Sequence, residues 1–263
     1  MLLTDRVAII TGGARGIGQG IAEKFVAEGC SVAVADILED RVKETAAELS
    51  QKGREALAIK CDHTDSHQVQ DMVNKVISKF GKIDILVNCA GSGGGRGGDP
   101  EEMWRKSIDI NLTGPFLCSL YVMPHMKERK SGSIINFSSY SGIIPTPAPP
   151  AYAAAKAGVL GLTYSMALQL APFKIRVNAI VPEVVGTEFF GPPSPERAAN
   201  FAKRDTYQLL GRIATPEDLA GVATFLASDL SSYVTGTQIL VGGKYPLGTV
   251  LPGSAPPGPP PTR

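Results

Sequence analysis

The stretch RVAIITGGARGIG, residues 6–18, decides the fold. Its first half, RVAIIT at 6–11, carries the continuous apolar run VAII, the pattern of a strand buried on both faces. Its second half, TGGARGIG at 11–18, spaces Gly12, Gly16 and Gly18 as G-x-x-x-G-x-G and opens a helical pattern over 16–28. Glycines at such a strand-to-helix turn permit a tight bend and let backbone N–H groups approach a diphosphate at the helix N-terminus. The next apolar run, SVAVAD at 31–36, ends in Asp36. A carboxylate there accepts hydrogen bonds from both hydroxyls of an adenosine ribose and repels a 2′-phosphate, which favours NAD over NADP. The competing reading is a tight turn followed by a solvated acid; loop and acid together favour the dinucleotide. Arg15, inside the loop, pulls toward NADP, and Asp36 is expected to dominate because it sits nearer the ribose.

Outward from this unit the rhythm repeats. EALAIK (55–60), IDILVN (83–88), SIINFS (133–138), RVNAIV (176–181) and GTQILV (236–241) read as further strands. Helical patterns lie at 39–52, 66–80, roughly 101–130, 150–172 and 216–228. Strands alternating with helices predict an α/β fold, a doubly wound Rossmann-like parallel sheet with helices on both faces and a ligand crevice at the carboxyl ends of its strands. The 263 residues fit one such domain over 1–250. The proline-rich tail 251–263 reads as an unstructured end or, less simply, a ligand for an SH3-like module. Asp62, ending the third strand in KCDHTD, either bonds the adenine amino group or caps the helix beginning near Asp65.

Composition narrows the function. The net charge is +1 with no run of like charges, which argues against nucleic acid or an anionic membrane surface as a partner. No apolar stretch approaches a membrane span, and MLLTDRVAII is not a secretion signal, because Asp5 and Arg6 interrupt it. Cys30, Cys61, Cys89 and Cys118 are scattered, without a C-x-x-C pair, so free thiols and a cytoplasmic location are expected. His63, His67 and His125 read as surface residues, and no group has metal-site spacing.

The chemistry is expected at AYAAAKAG, 151–158. Tyr152 and Lys156 stand four apart on one face of an alanine-rich helix. A phenol's reference pKa of about 10 is too high for proton exchange near neutrality, and a nearby ammonium lowers it. The pair then becomes a general acid/base. Ser139 ends the strand SGSIINFSS, where a doubly wound sheet presents its working groups. Ser138, Tyr140 and Ser141 are rivals, and the spacing to Tyr152 favours Ser139. Prolines at 145, 147, 149 and 150 make a stiff approach to Tyr152.

On these residues the chain, over about 4–245, resembles the short-chain dehydrogenases/reductases in their single-domain form. TGGARGIG looks like the family's cofactor loop, with Gly12, Arg15, Gly16, Ile17 and Gly18, and Asp36 and Asp62 look like its ribose and adenine contacts. NCAG at 88–91 is similar to its N-N-A-G, which implies cofactor contacts at Asn88 and Gly91. Asn111, Ser139, Tyr152 and Lys156 match its catalytic tetrad. The resemblance implies that Tyr152 exchanges the proton with the alcohol or carbonyl oxygen and Ser139 holds that oxygen. Lys156 bonds the nicotinamide ribose and biases Tyr152, and Asn111 positions a water relaying protons to Lys156. Thr187 stands where the family places a Thr on the carboxamide. Two positions depart: Pro182-Glu183 replaces the family's Pro-Gly, and LVGGKY has Gly242 where the family often has Asp. The C-terminal end packs at subunit contacts in the family, so a homo-oligomer is implied, a tetramer before a dimer.

Residues 186–211 are expected to form the substrate lid. Phe189, Phe190, Phe201, Tyr207, Leu209 and Leu210 lean toward an uncharged, moderately apolar alcohol or ketone, or merely pack the lid helices. The glycine loop 93–98 is expected to leave the pocket mouth roomy or mobile. The expected activity is NAD-dependent interconversion of a secondary alcohol and a ketone. The alternatives are a 3-oxoacyl carrier-protein reductase, or a catalytically silent dinucleotide sensor.

Overall fold

The computed structural model describes residues 1–93, 98–205 and 208–242. The tail at 251–263, Tyr207, the Phe190 side chain and most of the glycine loop at 93–98 lie outside the described residues. Seven parallel strands form one sheet in the order β3-β2-β1-β4-β5-β6-β7. They are β1 (Val7–Thr11), β2 (Ser31–Asp36), β3 (Ala56–Lys60), β4 (Ile85–Asn88), β5 (Gly132–Phe137), β6 (Ile175–Pro182) and β7 (Gln238–Val241). The helices are α1 (Gly16–Ala27), α2 (Glu39–Ser50), α3 (Ser66–Phe80), α4 (Pro100–Ile108), α5 (Gly114–Arg129), α6 (Pro150–Leu170), α7 (Pro195–Asp205) and α8 (Pro216–Ala227).

Successive strand residues face opposite sides of the sheet, so each continuous apolar run feeds two cores. Ala8, Ile10, Val32, Val34, Ile85 and Val87 pack against α1, α2 and α8. Val7, Ile9, Ala33, Ala35, Leu86 and Ile134 pack against α3, α5 and α6. The strand order reverses between β1 and β4, and a doubly wound sheet opens its crevice at such a point.

One expected helix is two. The pattern over 101–130 breaks into α4 and α5, joined by a π-helical turn at Asp109–Thr113. Pro115 marks the break, because without an N–H it cannot continue the bonds to the carbonyl four residues back. Gly114 fits the start of α5 against His63. A Cβ there would lie 1.9 Å from the His63 ring, so the helix must bring a glycine to that point. His63 is therefore buried rather than superficial. Its Nε2 bonds the Ile110 carbonyl at 2.9 Å, and burial pushes its pKa down. The turn rotates Asn111 inward, to full burial.

The glycine loop is equally constrained. Gly12 and Gly16 have φ of 68° and 59°, and a Cβ at Gly18 would lie 2.1 Å from the Gly12 carbonyl oxygen. Gly18→Ala is thus expected to destabilise the protein by about 3 kcal/mol or more, roughly a 10 °C fall in melting temperature. Gly221→Ala, in α8 with nothing within 4 Å of the added carbon, is expected to be neutral or to stabilise by about 0.5–1 kcal/mol. Equal melting temperatures for the two variants would contradict this reading of the loop.

Candidate active site

The crevice is lined by the segments that leave β1, β2, β4, β5 and β6. Thr11 Oγ1 accepts hydrogen bonds from the N–H groups of Cys89 and Ala90, each at 3.2 Å, and so holds the turn after β4 against the glycine loop. A Cβ at Gly12 would stand 2.8 Å from Ala90 Cα, so backbone meets backbone where the two strands diverge. Thr11 has no distinguishing signal in the sequence beyond its place at the strand end.

Asp36 closes the outer side of this cradle. Its carboxylate accepts from the N–H of Ala14, in the glycine loop, at 3.3 Å and from that of Leu38 at 3.1 Å. Asp62 lies on the neighbouring strand end, where Cys61 N–H donates to the Asp36 carbonyl at 2.9 Å. Its carboxylate accepts from Thr64 N–H and Oγ1 at 2.9 and 2.7 Å. The cap of α3 is Asp65, bonded by His67 and Gln68 N–H, so Asp62 does not do that work. Arg15 pairs with Glu188 at 3.1 Å. Ile17 packs on the core beneath the loop. Thr187 faces the loop from the other side: a Cβ at Gly16 would touch it at 3.4 Å.

Asn88 does not join these groups through its side chain. Its amide is buried and donates to Ser119, Asn136 and the Pro115 carbonyl, tying β4 to β5 and α5.

The inner end of the crevice gathers Asn111, Ser139, Tyr152 and Lys156. Pro150 starts α6, a position where its missing N–H costs nothing, and Tyr152 and Lys156 follow on one face. Lys156 is 4 % exposed; its Nζ donates to the Phe137 carbonyl at 2.9 Å and lies 5.7 Å from the Tyr152 ring centroid. A Cβ at Gly91 would reach both Asn111 Oδ1, at 3.0 Å, and Lys156 Nζ, at 3.4 Å, so these three positions converge. The Asn111 amide is fixed by the Ser92 and Ser107 carbonyls at 2.9 and 3.0 Å. Ser139 stands close enough to the Tyr152 phenol to act on its ionisation, and its Oγ accepts from Ser141 N–H at 3.2 Å. Its rivals are otherwise engaged. Ser138 donates to the Lys156 carbonyl at 2.7 Å, the Tyr140 ring lies in the core, and Ser141 pairs with Thr146.

Burial dominates the electrostatics. It pushes the Lys156 ammonium down to about 8, with Cys89 a weaker opposing influence. It pushes the Tyr152 phenol up, against the weaker lowering influence of Ser139. The expectation that Lys156 lowers the phenol is therefore corrected for the protein alone. The ammonium points at a backbone carbonyl, and removal of the phenol from water outweighs it. Among the described residues, no three His, Cys, Asp or Glu side chains cluster as metal ligands, and no helix is long and apolar enough to cross a membrane.

Comparison with known proteins agrees with this architecture. A family model described as enoyl-(acyl carrier protein) reductase matches residues 12–245. A 3-oxoacyl-[acyl-carrier-protein] reductase of Thermotoga maritima is 38% identical over 251 residues, covering 92% of this chain and 98% of its own. An NAD-dependent glycerol dehydrogenase of Listeria innocua is 35% identical over 249 residues, covering 93% and 95%. The crystal structure of a 7α-hydroxysteroid dehydrogenase complexed with NADH and 7-oxo glycochenodeoxycholic acid superposes with a TM-score of 0.85 at 34% identity, covering 92% and 94%.

Proposed function

We propose that this chain, which belongs to the short-chain dehydrogenase/reductase family of oxidoreductases, interconverts a secondary alcohol and a ketone with NAD(H) as its cofactor. The observation that carries the reading is the convergence of Tyr152, Ser139, Lys156 and Asn111 at the inner end of a glycine-lined crevice. The crevice suits a dinucleotide because Gly12 and Gly16, at positive φ, hold the tight turn that opens α1, and Gly12 lets the loop pack backbone to backbone on Ala90. Gly12, Gly16, Ile17, Gly18, Gly91 and Thr187 would hold the diphosphate and nicotinamide portions, Asp36 and Asp62 the adenosine, and Lys156 the nicotinamide ribose. The bound nicotinamide supplies the hydride chemistry.

The side chains then divide the remaining work. Ser139 holds the substrate oxygen beside the phenol. Tyr152 gives that oxygen its proton in reduction and takes it in oxidation. Asn111 positions the water through which Lys156 relays protons to solvent. Segment 186–211 serves as the lid, with Phe189, whose ring centroid is 6.2 Å from that of Tyr152, offering an apolar wall to the substrate.

NAD rather than NADP is supported by Asp36 and by the Arg15–Glu188 pair, which leaves the loop cation already matched. NADH is expected to bind at least about tenfold more tightly than NADPH in a fluorescence titration, a difference of about 1.4 kcal/mol. Asp36→Ala should narrow that gap, and the reverse preference in the wild type would overturn the Asp36 argument. Turnover itself is tested by NADH absorbance on a panel of ketones and secondary alcohols. The panel includes a 3-oxoacyl thioester, because a relative named for that substrate is similar over nearly its whole length. NADH binding with no turnover across the panel would favour a dinucleotide sensor.

A homo-oligomer is supported by apolar side chains left exposed on neighbouring helices. Phe116 and Leu120 share one face of α5, and Tyr164 and Leu168 share one face of α6, Leu168 being 80% exposed. A cytoplasmic location is supported by four cysteines that form no disulfide.

A further inference from the structure

We propose that Glu183 and Gly242 are a single exchanged pair, and that the Glu183 carboxylate, through Gln208, latches the foot of the lid and thereby positions it for substrate. The proposal rests on the reading of 186–211 as a lid. Glu183 follows the last residue of β6, and its N–H extends the ladder to β7 by bonding the Val241 carbonyl at 3.0 Å. Its φ is not positive, so a side chain there carries no backbone strain. That side chain turns toward Gly242. A Cβ at Gly242 would lie 2.7 Å from Glu183 Cβ, 3.2 Å from Glu183 Oε2 and 3.2 Å from the Tyr140 ring. The two positions thus compete for one space, and only one of them can carry a side chain. Two departures that look independent in sequence are one arrangement in space.

The carboxylate in that space reaches the returning end of the lid. Gln208 is 4 % exposed, and its Nε2 donates to Glu183 Oε1 at 3.2 Å. Around it the neck of the segment is knitted shut. Gln208 N–H bonds the Asp205 carbonyl at 3.0 Å, Ile213 N–H bonds the Asp205 carboxylate at 2.6 Å, and Val185 bridges Ala214. Glu183 is therefore the point where the sheet grips the lid. On its other side it approaches Tyr140, the residue after Ser139, so the latch and the proposed oxygen-holding serine share a support. This makes Glu183 a positioning residue: it acts through Gln208 and the turn beyond Ser139.

The experiment uses the full chain with three readouts. The first is tryptic cleavage within α7, at Arg197, Lys203 and Arg204. Gln208→Leu should speed that cleavage about tenfold, since its hydrogen bond no longer holds the neck. Glu183→Gln, whose amide oxygen still accepts from Gln208, should stay within about twofold of wild type. The second is melting temperature. Gly242→Ala should lower it in the wild type and not in the Glu183→Gly background. The third is KM against kcat on a substrate from the panel. Gln208→Leu should raise KM several-fold with kcat little changed, and Glu183→Gln should preserve KM. Wild-type cleavage of Gln208→Leu, or an equal cost of Gly242→Ala in both backgrounds, would overturn the latch. A fall in kcat with KM unmoved would overturn its role in placing substrate. A wild type without turnover defeats the oxidoreductase reading instead, and the cleavage and melting results still decide the latch.

Discussion

Replacing Tyr152 with phenylalanine is expected to lower kcat by about 10²–10⁴-fold, the usual contribution of a positioned general acid/base. NADH affinity should change by no more than about twofold, since the ring and its packing are kept and only one oxygen is removed. The ring stays beside Phe189, and Ser139 keeps its bond from Ser141 N–H, so the variant should fold with its crevice intact. The pH dependence separates this outcome from a general loss of function. Burial raises the Tyr152 phenol above its ordinary value. A group so raised remains protonated through neutrality, which suits it to donate a proton to a ketone oxygen. Alcohol oxidation needs the phenolate, so the wild-type oxidation rate should climb as pH rises into the alkaline range. In Tyr152→Phe that limb should vanish from whatever residual rate survives. A variant with kcat within about tenfold of wild type, or with the alkaline limb preserved, would assign the proton to another group.

How much of this was readable beforehand depends on which interactions are local. The strands and the glycine loop were legible because both signals lie within a few residues: a double-sided apolar run and a turn that tolerates no Cβ. The i, i+4 spacing of Tyr152 and Lys156 was legible for the same reason. The packing at the π-helical turn, Asp109–Thr113, was not, because it sets Gly114 against the ring of His63, remote in sequence. The inward rotation of Asn88 was hidden likewise, since its partners Ser119 and Asn136 belong to α5 and β5. Glu183 and Gly242 could each be marked as a departure, but their shared space is visible only once β6 and β7 are paired. The direction of the Tyr152 shift is not legible in sequence, because spacing reports which groups are near, whereas burial sets how much water each has lost.

Lys156→Met should move activity and stability in opposite directions. Activity should collapse, since the variant loses the ammonium proposed to bond the nicotinamide ribose and relay protons. The protein measured without added cofactor should nonetheless melt higher at pH 7. Lys156 holds its charge out of water with a backbone carbonyl as its partner, at 2.9 Å, and this burial pushes it down from 10.5 to about 8. Methionine fills similar space without that desolvation. It leaves the Phe137 carbonyl short of one donor, which offsets about 1 kcal/mol of the gain. A net gain of about 1–2 kcal/mol, or several degrees for a chain of this size, is expected. The sign of the pH dependence follows from proton counting. Between about 8 and 10.5 the unfolded chain holds a proton on this lysine that the folded chain has released. Wild-type stability attributable to Lys156 therefore rises with pH through that window, whereas below it the penalty of the buried charge is felt in full. The advantage of Lys156→Met should accordingly be largest at pH 7 or lower and shrink toward pH 10. A variant that is less stable at pH 7, or whose advantage is the same at both ends, would mean that the ammonium is compensated in the folded protein. If the advantage appears as described, the site keeps a destabilising charge in its core, a cost that the proposed chemistry at Tyr152 accounts for.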